Sequence, residues 1–364
     1  MLPPTMRAVL LTGYGGLDRL EYRADVPVPQ PGPGEVLVKV GACGINNTDL
    51  NLRTRWYDRA VQTALTSEIA AAGAGTGDGA SWKSEAVRFP RIQGAAVAGR
   101  IAAVGQDVAA SRIGERVLID PQIRDDSLPL RAQLVAYLGG DRDGGFADYV
   151  AAPAANAHAV RSGLSDAELA SFPTSYDTAE EMLARTRLAK GETVIVTGAA
   201  GGVGSALVQL ARVRGARVVA IAGAAKRERL LDLGADAVLA REDDDLANQL
   251  RAAVGEGADV AVDVVGGALF GPVIAALGRG GRYASAGAIG GPVQPFDLRD
   301  LIYKDLEMYG ITCPTRDTFA RVVRLVEDGL LKPLVERVYP LSDLAQAQAD
   351  LAARSHFGKF AVQP

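Results

Sequence analysis

Apolar and polar positions follow two different rhythms along the chain. Up to about residue 155, short alternating runs recur between turn signals. They are MRAVLL, EVLVKVGA, GRIAAVG, ERVLID and GFADYVAAP, with turns such as PQPGPGE, GQDV and GGDRDGG. Period-two alternation between such turns predicts antiparallel β structure. From about residue 165 apolar strands alternate with helical patterns. Strands are predicted at TVIVTG (193–198), RVVAIAG (217–223), AVL (237–239), DVAVDVV (259–265), GRYASAG (281–287) and LEMYGI (306–311). Helices are predicted at Ser205–Arg214, Lys226–Leu233, Asp244–Ala253 and Phe270–Leu277. This is the signature of βαβ units and a parallel sheet. From about 315 a helix, Thr318–Asp328, precedes the strand-like FGKFAVQP, which is expected to pack back on the first region. Residues 53–88 interrupt the β region. A helix is expected over Tyr57–Ala71, followed by the Gly- and Ala-rich AAGAGTGDGAS, which reads as a mobile insertion or a lid.

Composition narrows the class. The 364 residues suffice for two domains with their own cores. A net charge of −4 and a pI near 5.4 give no sign of a nucleic-acid or membrane-surface partner. The first residues lack the basic start and apolar core of a signal peptide, and no apolar run reaches the length of a membrane span. Two cysteines in a chain this long imply no disulfide framework. The expectation is a soluble cytoplasmic protein.

The strongest motif is TVIVTGAAGGVGSALVQLA. A strand leads into Gly198, Ala199, Ala200, Gly201, Gly202, Val203 and Gly204, and then into a helix. In GxGxxG spacing the three small positions are Ala199, Gly201 and Gly204. Small residues let backbone amides approach a pyrophosphate, and the helix N-terminus favours its charge. A site for NAD usually places Asp or Glu at the end of the second strand, on the ribose 2′-hydroxyl. Here Ile221, Ala222 and Gly223 stand there, with Lys226, Arg227 and Arg229 just after. This pattern suits a 2′-phosphate and hence NADPH, with Lys226 as the phosphate contact. Solvation of a helix face is the plainer use of the same cations.

The end of EVLVKV raises a second question. CGINNTD gathers Asn46, Asn47, Thr48 and Asp49 at one strand end, beside Cys43. Such a packet either caps a helix or lines a site. Cys43, Cys313, His158 and His356 show no metal-ligand spacing, so Cys43 reads as buried packing.

Taken in order, PGPGEVLVKV, CGINNTD, FPRIQGAAVAGRIAAVG, GERV, GGFADYV, TGAAGGVGSALVQLA, LGAD and HFGKF resemble the medium-chain dehydrogenase/reductase superfamily over nearly the whole chain. Within it the chain looks most like the zinc-less quinone oxidoreductase and enone reductase branch. The resemblance implies an α/β protein with a GroES-like β-rich catalytic domain, 1–160 and 315–364. A Rossmann domain with a doubly wound parallel sheet would span 161–314. It also implies which metal ligands are missing. Zinc enzymes of the superfamily have Cys, His and often Cys at the places of Asn46, Ala95 and Thr174. No four-cysteine lobe lies between GERV and GGFADYV.

Without zinc to stabilise an alkoxide, hydride addition to a quinone or an α,β-unsaturated carbonyl is the easier chemistry, because charge delocalises into a hydroquinone or enolate. The resemblance implies that Asn46 lies near nicotinamide and substrate carbonyl, with Asp49 organising the loop and Tyr176 among the catalytic candidates. It implies cofactor contacts at Thr178, Gly266, Gly287, Ala288 and Lys359, and a homodimer through LEMYGI. Two positions depart from the branch: Asn51 stands where Tyr is common, and Ala96 where Asp or Glu is common. They leave the proton source open. They also keep two other readings in view, a metal-free alcohol or carbonyl dehydrogenase and an NADPH-binding sensor without turnover.

Overall fold

A computed structural model describes residues 2–74, 87–129 and 133–364. The chain divides into two units. One holds Met1–Val61, Thr66–Thr174 and Phe319–Pro364, the other Gln62–Leu65 and Ser175–Thr318.

The first unit is β-rich. Its main sheet is centred on the strand Glu35–Gly44, which pairs antiparallel with Ala96–Val104, with Tyr149–Pro153 and with the C-terminal strand Lys359–Gln363. Val36, Leu37, Val38, Val40 and Cys43 on this strand are buried, so its alternation is broken and it reads as a central strand. The returning tail pairs Val362 with Cys43 and Ala361 with Gly44. That register sets Lys359 beside the residues that follow the central strand. Two glycines there leave room for the helix Asp166–Leu169. A Cβ on Gly41 would lie 2.0 Å from the Asp166 carboxylate, and one on Gly44 would lie 2.3 Å from the Ala170 carbonyl oxygen. This packing, with Arg116 bonded to Asp166 at 2.7 Å, ties that helix to the first unit. Cys43 packs in the core where Gly94 and Gly145 leave space for its sulfur.

The second unit is a six-stranded parallel sheet. Its strand order is Ala237–Ala240, Arg217–Ala222, Thr193–Thr197, Ala258–Asp263, Leu277–Ser285 and Glu307–Gly310. This is the doubly wound 3-2-1-4-5-6 order, which reverses beside the first strand and leaves a crevice at its carboxyl end. Ile195, Val219, Ile221, Leu250, Ala261, Val273 and Tyr283 form its core.

All six predicted strands are present, and the helices lie within a few residues of expectation. Phe270–Ala275 is shorter than expected because the next strand begins at Leu277. The larger difference is in the insertion. The helix expected over Tyr57–Ala71 is absent. A helix instead spans Asn47–Thr54 and stops where Arg55 turns left-handed at φ 65°. After irregular chain, Thr66 caps a second short helix, Ser67–Ala72, by accepting the Ile69 N–H. Local capping chemistry overrides the apolar spacing here. The Gly- and Ala-rich run falls largely on residues 75–86, outside the described residues.

Candidate active site

In the second unit the backbone builds the site. The strand Thr193–Thr197 ends at Gly198, whose φ of 58° starts a tight turn. The Gly201 N–H closes that turn on the Gly198 carbonyl at 2.9 Å. Gly201 then caps the helix Gly202–Val213. A Cβ on Gly204 would lie 2.1 Å from the Gly198 oxygen and 2.6 Å from the Ala199 Cα, so this glycine lets helix and turn touch. A Cβ on Gly201 would meet only the Gly198 oxygen, at 3.4 Å, so the space before the helix is open. The first N–H groups of a helix have no acceptor within it. Bare amides, open space and a twelve-residue helix fit a dinucleotide pyrophosphate.

A buried carboxylate that no motif points to organises the neighbouring loops. Asp263 ends its strand and accepts the Thr197 hydroxyl at 2.5 Å and the N–H groups of Val265 and Gly266 at 2.8 and 3.0 Å. Its other oxygen accepts the Tyr283 hydroxyl at 2.8 Å. The only signal in the sequence is an acid at the end of an apolar run, in DVAVDVVGG. Held this way, Gly266 comes up against Ala288, and Gly287 lies against the Val264 carbonyl.

At the end of the second strand, Gly223 opens the turn Ala224–Lys226. The strand itself ends without a carboxylate, but one comes near from elsewhere in the chain. Glu242, from beyond the adjacent strand Ala237–Ala240, lies 3.2 Å from where a Gly223 Cβ would be, and it accepts the Ala224 N–H at 3.3 Å. Arg241 is bonded to it at 2.9 Å. Arg227 is engaged with the Val238 carbonyl at 2.6 Å.

Tyr176, the third catalytic candidate, is buried against another side chain. It opens the helix Tyr176–Arg185, is 1% exposed, and its hydroxyl accepts from Gln209 at 2.8 Å. Burial also pushes its hydroxyl pKa up. It is buried in the second unit. Thr178 lies half-buried in the first turn of the same helix.

In the first unit side chains build the site. Asn46, Asp49 and Lys359 are all buried. The Asp49 carboxylate accepts the Asn46 backbone N–H at 2.8 Å, as in the acidic arm of a capping box. The Lys359 ammonium donates to the Asn46 side-chain oxygen, and the Asn46 amide nitrogen donates to the Gly44 carbonyl at 3.2 Å. An ammonium only donates, so it fixes which end of the amide carries oxygen. One amide N–H of Asn46 is thus engaged by Gly44, and the second has no partner among the described residues. Burial pushes the Asp49 carboxyl up to about 6, against the opposing pull of the Asn46 N–H and the Lys359 charge.

A polar network extends from here. Gln93 donates to the Asp49 carbonyl at 2.9 Å. Arg53, fully buried, donates to the Gln348 side chain at 2.8 Å and to the carbonyls of Gly15 and Ala70 at 2.9 and 2.7 Å. No pattern in the sequence marks these partners, which lie up to 295 residues apart.

The donor set does not fit a zinc ion. Asn46 and Ala95 are not thiolate or imidazole ligands, and no three His, Cys, Asp or Glu gather for a metal among the described residues. Among the described residues no helix is long and apolar enough to cross a membrane.

Comparison with known proteins bears on both units. Residues 32–162 match the alcohol dehydrogenase GroES-like domain, and residues 202–328 match the zinc-binding dehydrogenase domain. A quinone oxidoreductase of Lama guanicoe is 30% identical over 359 residues, covering 96% of this chain and 94% of that protein. A solved structure of a candidate alcohol dehydrogenase from Sinorhizobium meliloti is 48% identical, with a TM-score of 0.89 over 100% of this chain and 98% of that one. A candidate zinc-binding dehydrogenase from the same organism, solved bound to NADP, is 25% identical with a TM-score of 0.83 over 100% of both chains.

Proposed function

Because the chain belongs to the medium-chain dehydrogenase/reductase superfamily, as an oxidoreductase of its quinone oxidoreductase-like branch, we propose that it reduces a quinone or an α,β-unsaturated carbonyl with NADPH and without a metal ion. The observation that carries this reading is the Asn46 amide, held by its oxygen on the Lys359 ammonium. Its remaining N–H is then a preorganised donor for a carbonyl oxygen that gains charge. Donors of this kind act most strongly where water is excluded, as at this buried cluster.

When bound, the reduced nicotinamide supplies the hydride. The chain does the rest. The turn Gly198–Gly204 receives the pyrophosphate on the first N–H groups of its helix, and Asp263 keeps the loops at Gly266 and Gly287 in place for the cofactor. Thr178 and Ala288 are retained as cofactor contacts. Lys226 is assigned to the 2′-phosphate, with Glu242 neutralised by Arg241. Lys359, expected as a cofactor contact, is reassigned to positioning Asn46. Asp49 holds the backbone on which Asn46 stands.

We extend the proposal to a homodimer in the cytoplasm. Support comes from the last strand of the parallel sheet, Glu307–Gly310, which has a free edge among the described residues, and from the apolar face before it. Leu298, Ile302 and Tyr303 are all well exposed there.

The test is NADPH oxidation by chelator-treated protein across quinones, enones, enals and simple aldehydes, with NADH in parallel. Turnover of quinones or enones, lost on Asn46→Leu, is expected. Turnover confined to aldehydes would turn the assignment to a carbonyl dehydrogenase, which the likeness to the Sinorhizobium protein supports. Cofactor binding without any turnover would leave the sensor reading.

A further inference from the structure

The far end of the helix that begins at Asn46 carries buried polar atoms that the proposed reaction does not use. Asn51 is 5% exposed and Arg55 6% exposed. The Asn51 side-chain oxygen and the Arg55 Nε and Nη2 have no hydrogen-bond partner among the described residues. Arg55 ends the helix and its backbone N–H reaches the Asn51 carbonyl, so the two residues adjoin at the helix end. Nε and one Nη form the edge of a guanidinium that matches the two oxygens of a carboxylate. Native structures rarely leave such atoms buried and unpaired without a reason.

The groups around the guanidinium are few. Its central carbon stacks 5.3 Å from the centre of the Tyr14 ring. Asp58 approaches Nη2 at 3.2 Å, as an ion pair without hydrogen-bond geometry. The same Asp58 accepts the Ala60 N–H at 2.9 Å, which holds it in its own turn. Its side chain is 19% exposed against 5% for Arg55, so it is the more accessible partner.

We infer that Arg55 and Asn51 form a carboxylate-binding site that selects acidic substrates, the acid taking the Nε–Nη2 edge in place of Asp58 and a hydrogen-bond donor of the substrate meeting Asn51. This rests on the reading of Asn46 as the donor to the reducible carbonyl. The helix then sets a length. Nine residues from Asn46 to Arg55 span about 13 Å between α-carbons. The substrate class is an extended conjugated carbonyl, with a carboxylate on the far side of a vinyl group and an aromatic ring.

A matched pair of ligands tests this: 4-(3-oxobut-1-enyl)benzoate and its methyl ester, with calorimetric Kd and NADPH-dependent reduction both measured. The acid is expected to bind about tenfold more tightly than the ester. Arg55→Lys, which keeps charge but loses the planar edge, should erase that preference by weakening the acid more than the ester. Asp58→Asn removes the competing carboxylate and should tighten acid binding about threefold. Equal binding of acid and ester, or a preference that survives Arg55→Lys, overturns the site. Should Arg55→Lys fail to fold, an unchanged acid Kd in Asp58→Asn overturns it instead. Acid preference without reduction of either ligand would sink the proposed reaction and leave the site standing. Equal reduction of both, indifferent to Arg55→Lys, would do the reverse.

Discussion

The two units make their polar sites from different materials. The second uses backbone: a turn from Gly198 to Gly204 whose working groups are amides, exposed because side chains are missing. The first uses side chains: Asn46, Asp49, Gln93, Arg53, Gln348 and Lys359, buried and bonded to one another. A site of bare amides should be sensitive to added volume and tolerant of charge changes nearby. A site of buried polar side chains should be the opposite.

The largest expected effect comes from volume in the glycine turn, and two positions there should behave differently. Gly204→Val puts atoms into the Gly198 oxygen and the Ala199 backbone, which cannot both move aside. It should abolish NADPH binding and lower the unfolding temperature by several degrees, as overpacking by roughly 1–3 kcal/mol does. Gly201→Val meets open space instead. It should leave the unfolding temperature alone and weaken NADPH binding, seen by fluorescence titration. Equal thermal loss in both variants would break the claim that the space before the helix is reserved for a ligand.

After that loss of cofactor binding comes a loss of stability alone, from charge and hydrogen bonds in the first unit. Arg53→Met keeps much of the volume but strips donors from three buried acceptors, at Gly15, Ala70 and Gln348. Leaving such groups unpaired costs about 3–5 kcal/mol. Urea unfolding should show this as a lower midpoint. Burial already pulls the Arg53 guanidinium down to about 10, so it stays charged at neutral pH.

Asp49→Asn sharpens the comparison with almost no change in shape. The folded carboxyl is raised to about 6, above the usual value near 4 in an unfolded chain. Between those pH values the folded state keeps a proton that the unfolded state has lost. Stability therefore falls as pH rises from about 4 to about 6, by up to about 3 kcal/mol, and stays lower above that. The substituted amide would still accept the Asn46 N–H through its oxygen. Relative to wild type, the variant should gain stability across that window and hold the gain at pH 7. A parallel pair of stability curves would show that Asp49 titrates normally.

The same contrast explains what could be read from the chain alone. The parallel sheet and its turn were legible because their logic is local: strand, small residues and helix follow within twenty positions, in TVIVTGAAGGVGSALVQLA. Asn46 and Asp49 could be singled out as a polar packet, and Lys359 as a tail cation. That Lys359 bonds Asn46 could not, since the contact spans 313 residues and depends on the register of one strand pair. The Gln209 partner of Tyr176 is not legible either, because an aromatic hydroxyl looks alike in sequence whether it faces a ligand or a buried amide. The expected Tyr57–Ala71 helix gives way to Asn47–Thr54 and Ser67–Ala72, whose starts are set by the polar caps Asn46 and Thr66.

The smallest expected effect tests whether the backbone site is indifferent to charge after all. Glu242 reaches Gly223 from the neighbouring strand, where an acid favours a ribose 2′-hydroxyl and disfavours a 2′-phosphate. Arg241 and Glu242 are each about half exposed, so water screens both, and the net bias should be modest. Glu242→Gln keeps an acceptor for the Ala224 N–H and removes the negative charge. It frees Arg241 to join Lys226 at the phosphate. The ratio of kcat/KM for NADPH over NADH should rise about three- to tenfold, mostly through KM, and the gain should shrink in high salt as screening increases. An unchanged ratio would mean that the ribose lies away from Glu242. A ratio that falls would mean that the Glu242–Arg241 pair holds the arginine in place for the phosphate, which makes the acid a supporting part of the NADPH site.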